Sequence, residues 1–271
     1  MTTTMNRGLV PGSVLPALAA LTLTLTVAPA ALAQPALVRL QAEDRAGGDL
    51  FACALDLDGT TLLVGSLLDD DRGADSGSAY VFELGPGAEG WRQSAKLLAP
   101  DAAAGHRFGF AVALAGERAL IGAPLAGAGG AVYQYEREPG GEEWRLVARF
   151  GAAEGGADAG AALAFTPTRV LAGAPAADAA GRIDAGAVLA FSLDAAGNRA
   201  VERIAAREPQ AGAGFGGALA AGGGWAAVGA PWTDAPFTDS GAVHLFAESG
   251  AGLAETVRIT AADGRPFDAF G

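Results

Sequence analysis

The sequence FGFAVALAGERALIGAP, residues 108–124, decides the fold. It places a Phe-Gly pair 14 residues before a Gly-Ala-Pro motif, counted from the Phe to the Gly. The same distance returns in FGGALAAGGGWAAVGAP, residues 215–231. Degenerate copies join Ala159-Gly160 to Gly173-Ala174-Pro175, and Phe51-Ala52 to Gly65-Ser66. Four copies with constant internal spacing predict a repeat architecture.

Two further segments accompany each copy. One starts with glycine and continues into small and aliphatic residues; the other is a basic residue followed by an apolar one. Each repeat therefore contains four strand-like segments separated by turn residues, which is the pattern of a propeller blade. The glycine-led segments start at Gly77, Gly130, Gly186 and Gly241, and the basic pairs are Lys96-Leu97, Arg149-Phe150, Arg203-Ile204 and Arg258-Ile259.

Alternation within the first segment of each repeat indicates strands. In the second repeat Phe108, Phe110 and Val112 point to one face, and small residues point to the other. Both faces are apolar, so we expect these first strands to be buried on both sides. By the same alternation Cys53, the only cysteine, is predicted to be a buried apolar residue.

These motifs resemble the FG-GAP repeat family, which is best known from the propeller head of integrin α chains and from bacterial secreted proteins. The resemblance covers roughly Leu37 to Gly271. It implies an all-β fold, a partial β-propeller of four-stranded antiparallel blades. About four blades are expected, with the array truncated at its C-terminal end.

The repeats divide the chain into segments. The predicted repeats cover residues 49–101, 106–154, 157–208 and 213–262, with the start of a fifth at 267–271. Ala36 to Ala42 aligns with a fourth strand that has no blade before it, and we expect it to be the strand that closes the ring. Because the family usually has about seven blades, the chain is predicted to be a fragment of a longer protein.

The first 33 residues have the features of a signal peptide. Arg7 is followed by an uncharged stretch rich in Leu, Ala, Val and Thr, and Ala31-Leu32-Ala33 provides a cleavage site. A retained membrane anchor is the alternative, since the stretch approaches the length of about 20 residues that spans a bilayer. Cleavage predicts a secreted, periplasmic or cell-surface protein without membrane insertion.

Charge excludes one class of partner. The net charge of −12 argues against nucleic acid, because phosphate binding requires a positive surface. An acidic surface favours solubility and attracts cations or basic partners. The expected ligand is a protein or a glycan.

Calcium is the cofactor that the family resemblance raises, since its members often bind Ca²⁺ in the hairpin between the first two strands. The matching turns here are too short, and Asp56-Leu57-Asp58-Gly59 is only a remnant, so no cofactor is predicted there. A more acidic loop offers Asp69, Asp71 and Asp75 as candidate metal ligands. The alternative is that these aspartates, and those in the corresponding loops of the other repeats, stabilise turns by local hydrogen bonds.

The loops between second and third strands are predicted to form a ligand-binding rim, as the resemblance implies. They run from Leu68 to Ser76, Ala126 to Gly129, Ala176 to Ala185 and Trp232 to Ser240. They vary in length and charge while the strands stay regular, as in a scaffold with variable loops. The candidate rim residues are Asp70, Asp178, Asp184, Trp232, Asp234 and Asp239.

No convergent set of titratable residues indicates catalysis. His106 and His244 are the only histidines, and His244 occupies a strand position where it is expected to pack. The sequence therefore predicts a secreted, non-enzymatic, adhesion-type binding module. The alternatives are the propeller portion of a larger secreted enzyme and a purely structural surface spacer.

Overall fold

The structure, a computed structural model, describes residues 38–86, 90–151, 157–193 and 199–271. The predicted signal peptide, residues 1–33, lies outside these ranges. All of the strands belong to a compact unit that runs from Leu40 to Gly271. In the described ranges no helix is long and apolar enough to cross a membrane.

Within the described residues, sixteen strands form four antiparallel sheets of four, each in chain order. The sheets are called blades 1 to 4. Blade 1 contains β1 (Phe51–Asp58), β2 (Thr61–Ser66), β3 (Ser78–Leu84) and β4 (Trp91–Leu97); blade 2 contains β5 (Ala111–Ala115), β6 (Arg118–Ala123), β7 (Ala131–Arg137) and β8 (Trp144–Gly151); blade 3 contains β9 (Ala162–Phe165), β10 (Val170–Ala174), β11 (Ala187–Leu193) and β12 (Arg199–Ile204); blade 4 contains β13 (Ala218–Gly222), β14 (Trp225–Ala230), β15 (Ala242–Ser249) and β16 (Gly252–Ile259).

The sheets confirm the predicted fold class, an all-β partial propeller of four-stranded blades. Each sheet lies within one of the four predicted repeats. The register between third and fourth strands shifts at the same place in three blades, at Val81/Phe82, Gln134/Tyr135 and Leu245/Phe246. Such bulges increase the local twist of a sheet.

The hydrophobic core lies between successive blades. Between blades 1 and 2, Phe108 packs edge-on against Tyr133, with ring centroids 5.2 Å apart, in a cluster that includes Leu63 and Val81. Between blades 3 and 4, Phe215 packs in the same way on Phe246. The Phe of the Phe-Gly motif is thus a core residue at a blade junction, where burying an aromatic side chain provides a large part of the stability.

Glycines let the backbones of neighbouring blades touch. A Cβ added to Gly122 would lie 2.1 Å from the carbonyl oxygen of Gly160, and one added to Gly173 would lie 2.0 Å from that of Gly216. Gly65 stands in the same relation to Gly109. No side chain fits at these contacts, which explains why glycine recurs both in the Phe-Gly motif and in the Gly-Ala-Pro motif.

The first strands of blades 1 and 4, β1 and β13, differ from the prediction of burial on both faces, whereas β9 of blade 3 is largely buried. Leu55 and Leu57 of β1 are exposed, and so is Cys53, whose thiol lies 3.4 Å from the Gly109 carbonyl oxygen and donates to it. The prediction that Cys53 is buried is therefore wrong. The physical reason is that the backbone is irregular after Phe51. Ala52 has a positive φ, and the pairing of β1 with β2 shifts register between Phe51 and Leu55, so the alternation that placed Cys53 on the same face as Phe51 does not hold.

The structure describes part of the predicted ring-closing strand and the predicted start of a fifth repeat. Residues 38–42 form no strand, and each of the four described third strands is already paired with its own fourth strand. The ring-closing role of Ala36 to Ala42 therefore stays a prediction. At the other end, the Phe270 amide donates to the Ser240 carbonyl at 3.1 Å. The Phe108 and Phe215 amides make the equivalent hydrogen bonds, to the Ser76 and Ala185 carbonyls, at earlier junctions.

We expect Gly122→Ala to lower the free energy of unfolding by about 2 kcal/mol or more, because the new methyl group forces apart the backbones of blades 2 and 3. Gly222→Ala is the matched control. Gly222 also lies in a strand, but an added Cβ meets nothing within 4 Å. Its effect should stay within about 0.5 kcal/mol. Chemical denaturation measures both, and equal effects would contradict the role given to the glycine contact.

Candidate functional site

The rim consists of the four loops between second and third strands, residues 67–77, 124–130, 175–186 and 231–241. Each loop is hydrogen-bonded to the segment that leads into the next repeat. In the first loop, the Arg107 amide donates to the Asp75 carbonyl at 3.2 Å and the Phe108 amide to Ser76 at 2.9 Å. In the fourth loop, the Ala269 amide donates to the Asp239 backbone carbonyl at 3.0 Å. The rim is therefore a continuous surface built from loops of successive repeats.

Three of the four loops use a pair of aspartates to hold their own backbone. The Asp75 amide donates to Asp70 Oδ1 at 2.8 Å, and the Asp239 amide donates to Asp234 Oδ1 at 3.0 Å. The second aspartate of each pair has a positive φ, a conformation that Asp tolerates better than most residues. In the third loop the equivalent pair is Asp178 and Asp184, joined at 3.1 Å. Asp70, Asp178 and Asp234 thus stabilise turns, as the alternative interpretation predicted.

Asp69 belongs to a different arrangement, a cluster of carboxylates around one lysine. The Lys96 ammonium lies 3.0 Å from Asp69, 2.5 Å from Asp44 and 2.7 Å from Asp71. The Tyr80 hydroxyl oxygen lies 2.9 Å from carboxylate oxygens of both Asp44 and Asp69, and these two acids compete for its single proton. Asp69 is only 3% exposed. This group is called the Lys96 cluster below.

The Lys96 cluster holds its acids in the charged form. Burial raises the pKa of the Asp69 carboxyl, but hydrogen bonds from Lys96, the Asp71 amide and Tyr80 lower it more, so the pKa lies below its ordinary value of 3.8. Burial also raises the pKa of Asp44, but hydrogen bonds from Lys96 and Tyr80 and the Lys96 charge lower it below its ordinary value. Burial lowers the pKa of Lys96, and the surrounding carboxylates raise it well above its ordinary value. Lys96 therefore carries the positive charge at the centre of the cluster.

The predicted metal ligands are only partly brought together. Ligand atoms of Asp44, Asp69 and Asp71 lie within 4.8 Å of one another, whereas Asp75 is not part of this group. Lys96 lies among them, where its charge repels a second cation. The metal-binding role of Asp69, Asp71 and Asp75 stays a prediction.

A related contact joins blades 1 and 2, and the sequence analysis did not predict it. Asp101, in the segment that follows β4, accepts a hydrogen bond from Tyr133 at 2.7 Å and pairs with Arg149 Nε at 2.8 Å. Burial, followed by the Asp101 carboxylate, raises the pKa of Tyr133 to about 12. The signal was available in the spacing: an acid follows the basic residue of each fourth segment by five positions, in Arg39/Asp44, Lys96/Asp101, Arg149/Glu154, Arg203/Glu208 and Arg258/Asp263.

The aromatic residues of the fourth rim loop are exposed. Trp232 and Phe237 are 52% and 48% exposed. His244, by contrast, is 3% exposed and packs edge-on against Phe215, with ring centroids 5.2 Å apart. His106 lies in a loop, where its Nδ1 accepts the Ala103 amide at 3.3 Å. The histidines are thus held in separate local structures, and the exposed aromatics are the candidate ligand contacts.

We expect Lys96→Met to lower the free energy of unfolding at pH 7 by about 2 kcal/mol, because it leaves three neighbouring carboxylates without a cation. In the wild type, the lowered pKa values of Asp44 and Asp69 stabilise the fold above the unfolded-state pKa, and this stabilisation is lost as the pH falls through the folded-state values. In the variant, repulsion raises those pKa values, so its deficit should shrink as the pH falls towards 4. Urea denaturation across this pH range measures the difference.

The control is Arg145→Met, which breaks exposed ion pairs with Glu138 and Glu143 and should change stability by less than about 0.5 kcal/mol. A deficit for Lys96→Met that does not depend on pH would contradict the electrostatic interpretation. Millimolar calcium should leave the thermal midpoint of the wild type unchanged and raise that of Lys96→Met. A rise in the wild type would instead support a native calcium site.

Comparisons with known proteins agree with this architecture. The chain is similar to a protein from Bacteroides uniformis ATCC 8492 described as a candidate 6-phosphogluconolactonase, with a TM-score of 0.54 and 16% sequence identity. The match covers 78% of this chain and 57% of that one, and at this identity it shows a shared fold only. No curated protein matches the sequence. The family model for the FG-GAP repeat matches residues 36–82, 91–135 and 199–246, more than half of the chain. The chain therefore belongs to the FG-GAP repeat family.

Proposed function

We propose that this protein is an exported, non-enzymatic binding module whose protein or glycan ligand contacts the rim at Trp232 and Phe237. The observation that carries the proposal is the exposure of these two large aromatic side chains on one loop. Aromatic residues are enriched at binding surfaces, because a rigid ring buries a large area at a small entropic cost. Most of the other large aromatic side chains in the described residues lie at blade junctions or within sheets.

The loop that carries the pair is held in place before any ligand arrives. Ser240 Oγ donates to the Phe237 carbonyl at 2.8 Å, and Thr233 is buried. The Trp232 amide donates to the Ala213 carbonyl at 3.2 Å, which ties the loop to the preceding connection. A loop fixed in this way loses little conformational entropy on binding, so more of the contact energy contributes to affinity.

Charge on the same loop narrows the chemistry of the ligand. Asp234 and Asp239 lie on the same loop as the aromatic pair, and Asp184 lies in the rim loop of the preceding repeat. Carboxylates beside an aromatic ring favour either a basic polypeptide segment or a sugar, whose hydroxyl groups donate to the acids while its apolar face stacks on the ring. The overall charge of −12 acts in the same direction by repelling anionic ligands.

An enzymatic function is suggested only by the description of the structural neighbour as a candidate 6-phosphogluconolactonase. The two chains share 16% of their residues, which supports a common fold and no common chemistry. We therefore expect the purified protein not to accelerate hydrolysis of 6-phosphogluconolactone above the uncatalysed rate. Measurable turnover that is lost on substitution of a rim residue would overturn the non-enzymatic proposal.

The direct test is binding by the labelled protein to arrays of defined oligosaccharides and of basic peptides. We expect Trp232→Ala to weaken any specific interaction at least about tenfold, since an aromatic anchor at the centre of an interface contributes about 2 kcal/mol or more. Trp225→Ala is the control. Trp225 is 49% exposed on the same β14 strand, but at the end opposite the rim loop.

The two tryptophan variants separate the possible outcomes. Loss of binding in Trp232→Ala, with retention in Trp225→Ala, supports the rim. Unchanged binding in both variants places the ligand elsewhere, and equal loss in both contradicts a contact specific to the rim. An absence of binding to either array favours the structural-spacer alternative. Unchanged thermal midpoints are required for each variant, because neither side chain is buried.

A further inference from the structure

The outer edges of the four blades are not alike. In the described chain the outer strands β4, β8, β12 and β16 are each the last strand of their sheet and pair on one side only. A register shift interrupts the pairing of β4, β8 and β16 with the strand next to them. The six residues of β12, Arg199–Ile204, pair with β11 without any shift. Blade 3 therefore ends in a regular edge.

A regular edge can accept a further strand. The outer side of an edge strand presents a row of backbone amide and carbonyl groups to any extended chain that comes alongside. A bulge twists such an edge away from a partner, and it is one of the devices by which proteins prevent unwanted pairing. Blades 1, 2 and 4 have this device at their outer strands, and blade 3 lacks it.

A gap of about 340 Å³ opens beside the β12 edge, between blades 3 and 4. Glu202 and Ile204 of β12 line one side of the gap, and Phe246 and Leu253 of blade 4 line the other. Ile204 and Phe246 are buried in the core of this junction, and Leu253 is half-buried against it. Successive side chains of a strand point to opposite faces of its sheet. A strand added to β12 therefore directs every second side chain towards the gap and Leu253.

The charges of β12 disfavour a second copy of this chain as the added strand. When two identical antiparallel strands pair about a twofold axis, the residue at the centre lies opposite its own copy. A centre at Glu202 or Arg203 places like charges directly opposite each other, which is destabilising. The net charge of −12 also repels a second copy and attracts a basic chain.

We infer that the outer edge of β12 binds an extended segment of a partner protein, which adds to blade 3 as a fifth strand. The segment has a net positive charge and an apolar side chain that enters the gap between blades 3 and 4. In strand addition the main-chain hydrogen bonds supply affinity, and the side-chain pockets supply specificity. The inference is independent of the rim ligand, because the rim consists of the loops between second and third strands.

The test begins with a library of peptides about eight residues long, the length of an ordinary strand, with an apolar residue at every second position and lysine among the others. Peptides are selected on the protein without residues 1–33, and the affinity of the selected peptide is measured by fluorescence anisotropy. Each peptide amide is then methylated in turn. We expect methylation to abolish binding at every second position, because alternate residues of a strand bond to the neighbouring strand. A scan without this alternation would overturn the inference.

A matched pair of variants tests the place of binding. Ala205 lines the gap, and the side chain of Ala205→Arg fills its mouth, so binding should weaken at least about tenfold. Thr260 is exposed and holds the corresponding place after β16, so Thr260→Arg should bind as the wild type does. Hydrogen exchange of the wild type gives a readout that does not depend on the folding of a variant. The bound peptide should slow amide exchange in β12 and leave β16 unchanged.

Several results contradict strand addition at β12. These are failure to select any peptide, protection of β16 in place of β12, and binding that is lost in Trp232→Ala but retained in Ala205→Arg. Sedimentation of the protein alone tests the remaining occupant. A dimer in which the β12 amides are protected without peptide would also overturn the inference, since a second copy then occupies the edge.

Discussion

The close approach of glycine backbones at each blade junction is the constraint on which the rest of this structure depends. The Phe-Gly glycine of one repeat meets the Gly-Ala-Pro glycine of the repeat before it, and a Cβ at Gly65, Gly122 or Gly173 would lie about 2 Å from a carbonyl oxygen. This contact sets the distance between blades. The aromatic cores, such as Phe108 against Tyr133, then fill a gap of fixed width.

Ionic contacts add a second, directional link between the same blades. Asp101 reaches Arg149 across the junction of blades 1 and 2, and Asp44 reaches Lys96 from the segment before blade 1, so these two connecting segments are tied to the outer strand of the blade that follows. Tyr80 and Tyr133 donate to these acids from the buried side. The glycine contact depends on shape alone, whereas the ionic link depends on protonation, and acid should weaken only the latter. The rim loops rest on this two-part frame.

The repeat motifs were enough to predict the fold, because steric rules at glycine and alternation along strands are local properties of the sequence. Burial of Cys53 was predicted wrongly, since the positive φ of Ala52 interrupts the alternation on which that prediction depended. Asp70, Asp178 and Asp234 were predicted to be rim residues. In the structure they lie in the rim loops, and their carboxylates accept backbone amides of turns. The Lys96 cluster joins Asp44, in the segment before blade 1, to Asp69 and Asp71 in the first rim loop, and only three-dimensional placement reveals that contact.

The acid that follows each fourth segment has a consequence for how such arrays change length during evolution. Because the acid is encoded in one repeat and its basic partner in the next, the contacting pair straddles the boundary between blades. A tandem duplication of any stretch one period long then copies a donor and an acceptor in the right order, wherever the duplication begins. The interface is inherited with the copy, so new blades need no compensating substitutions at their junctions.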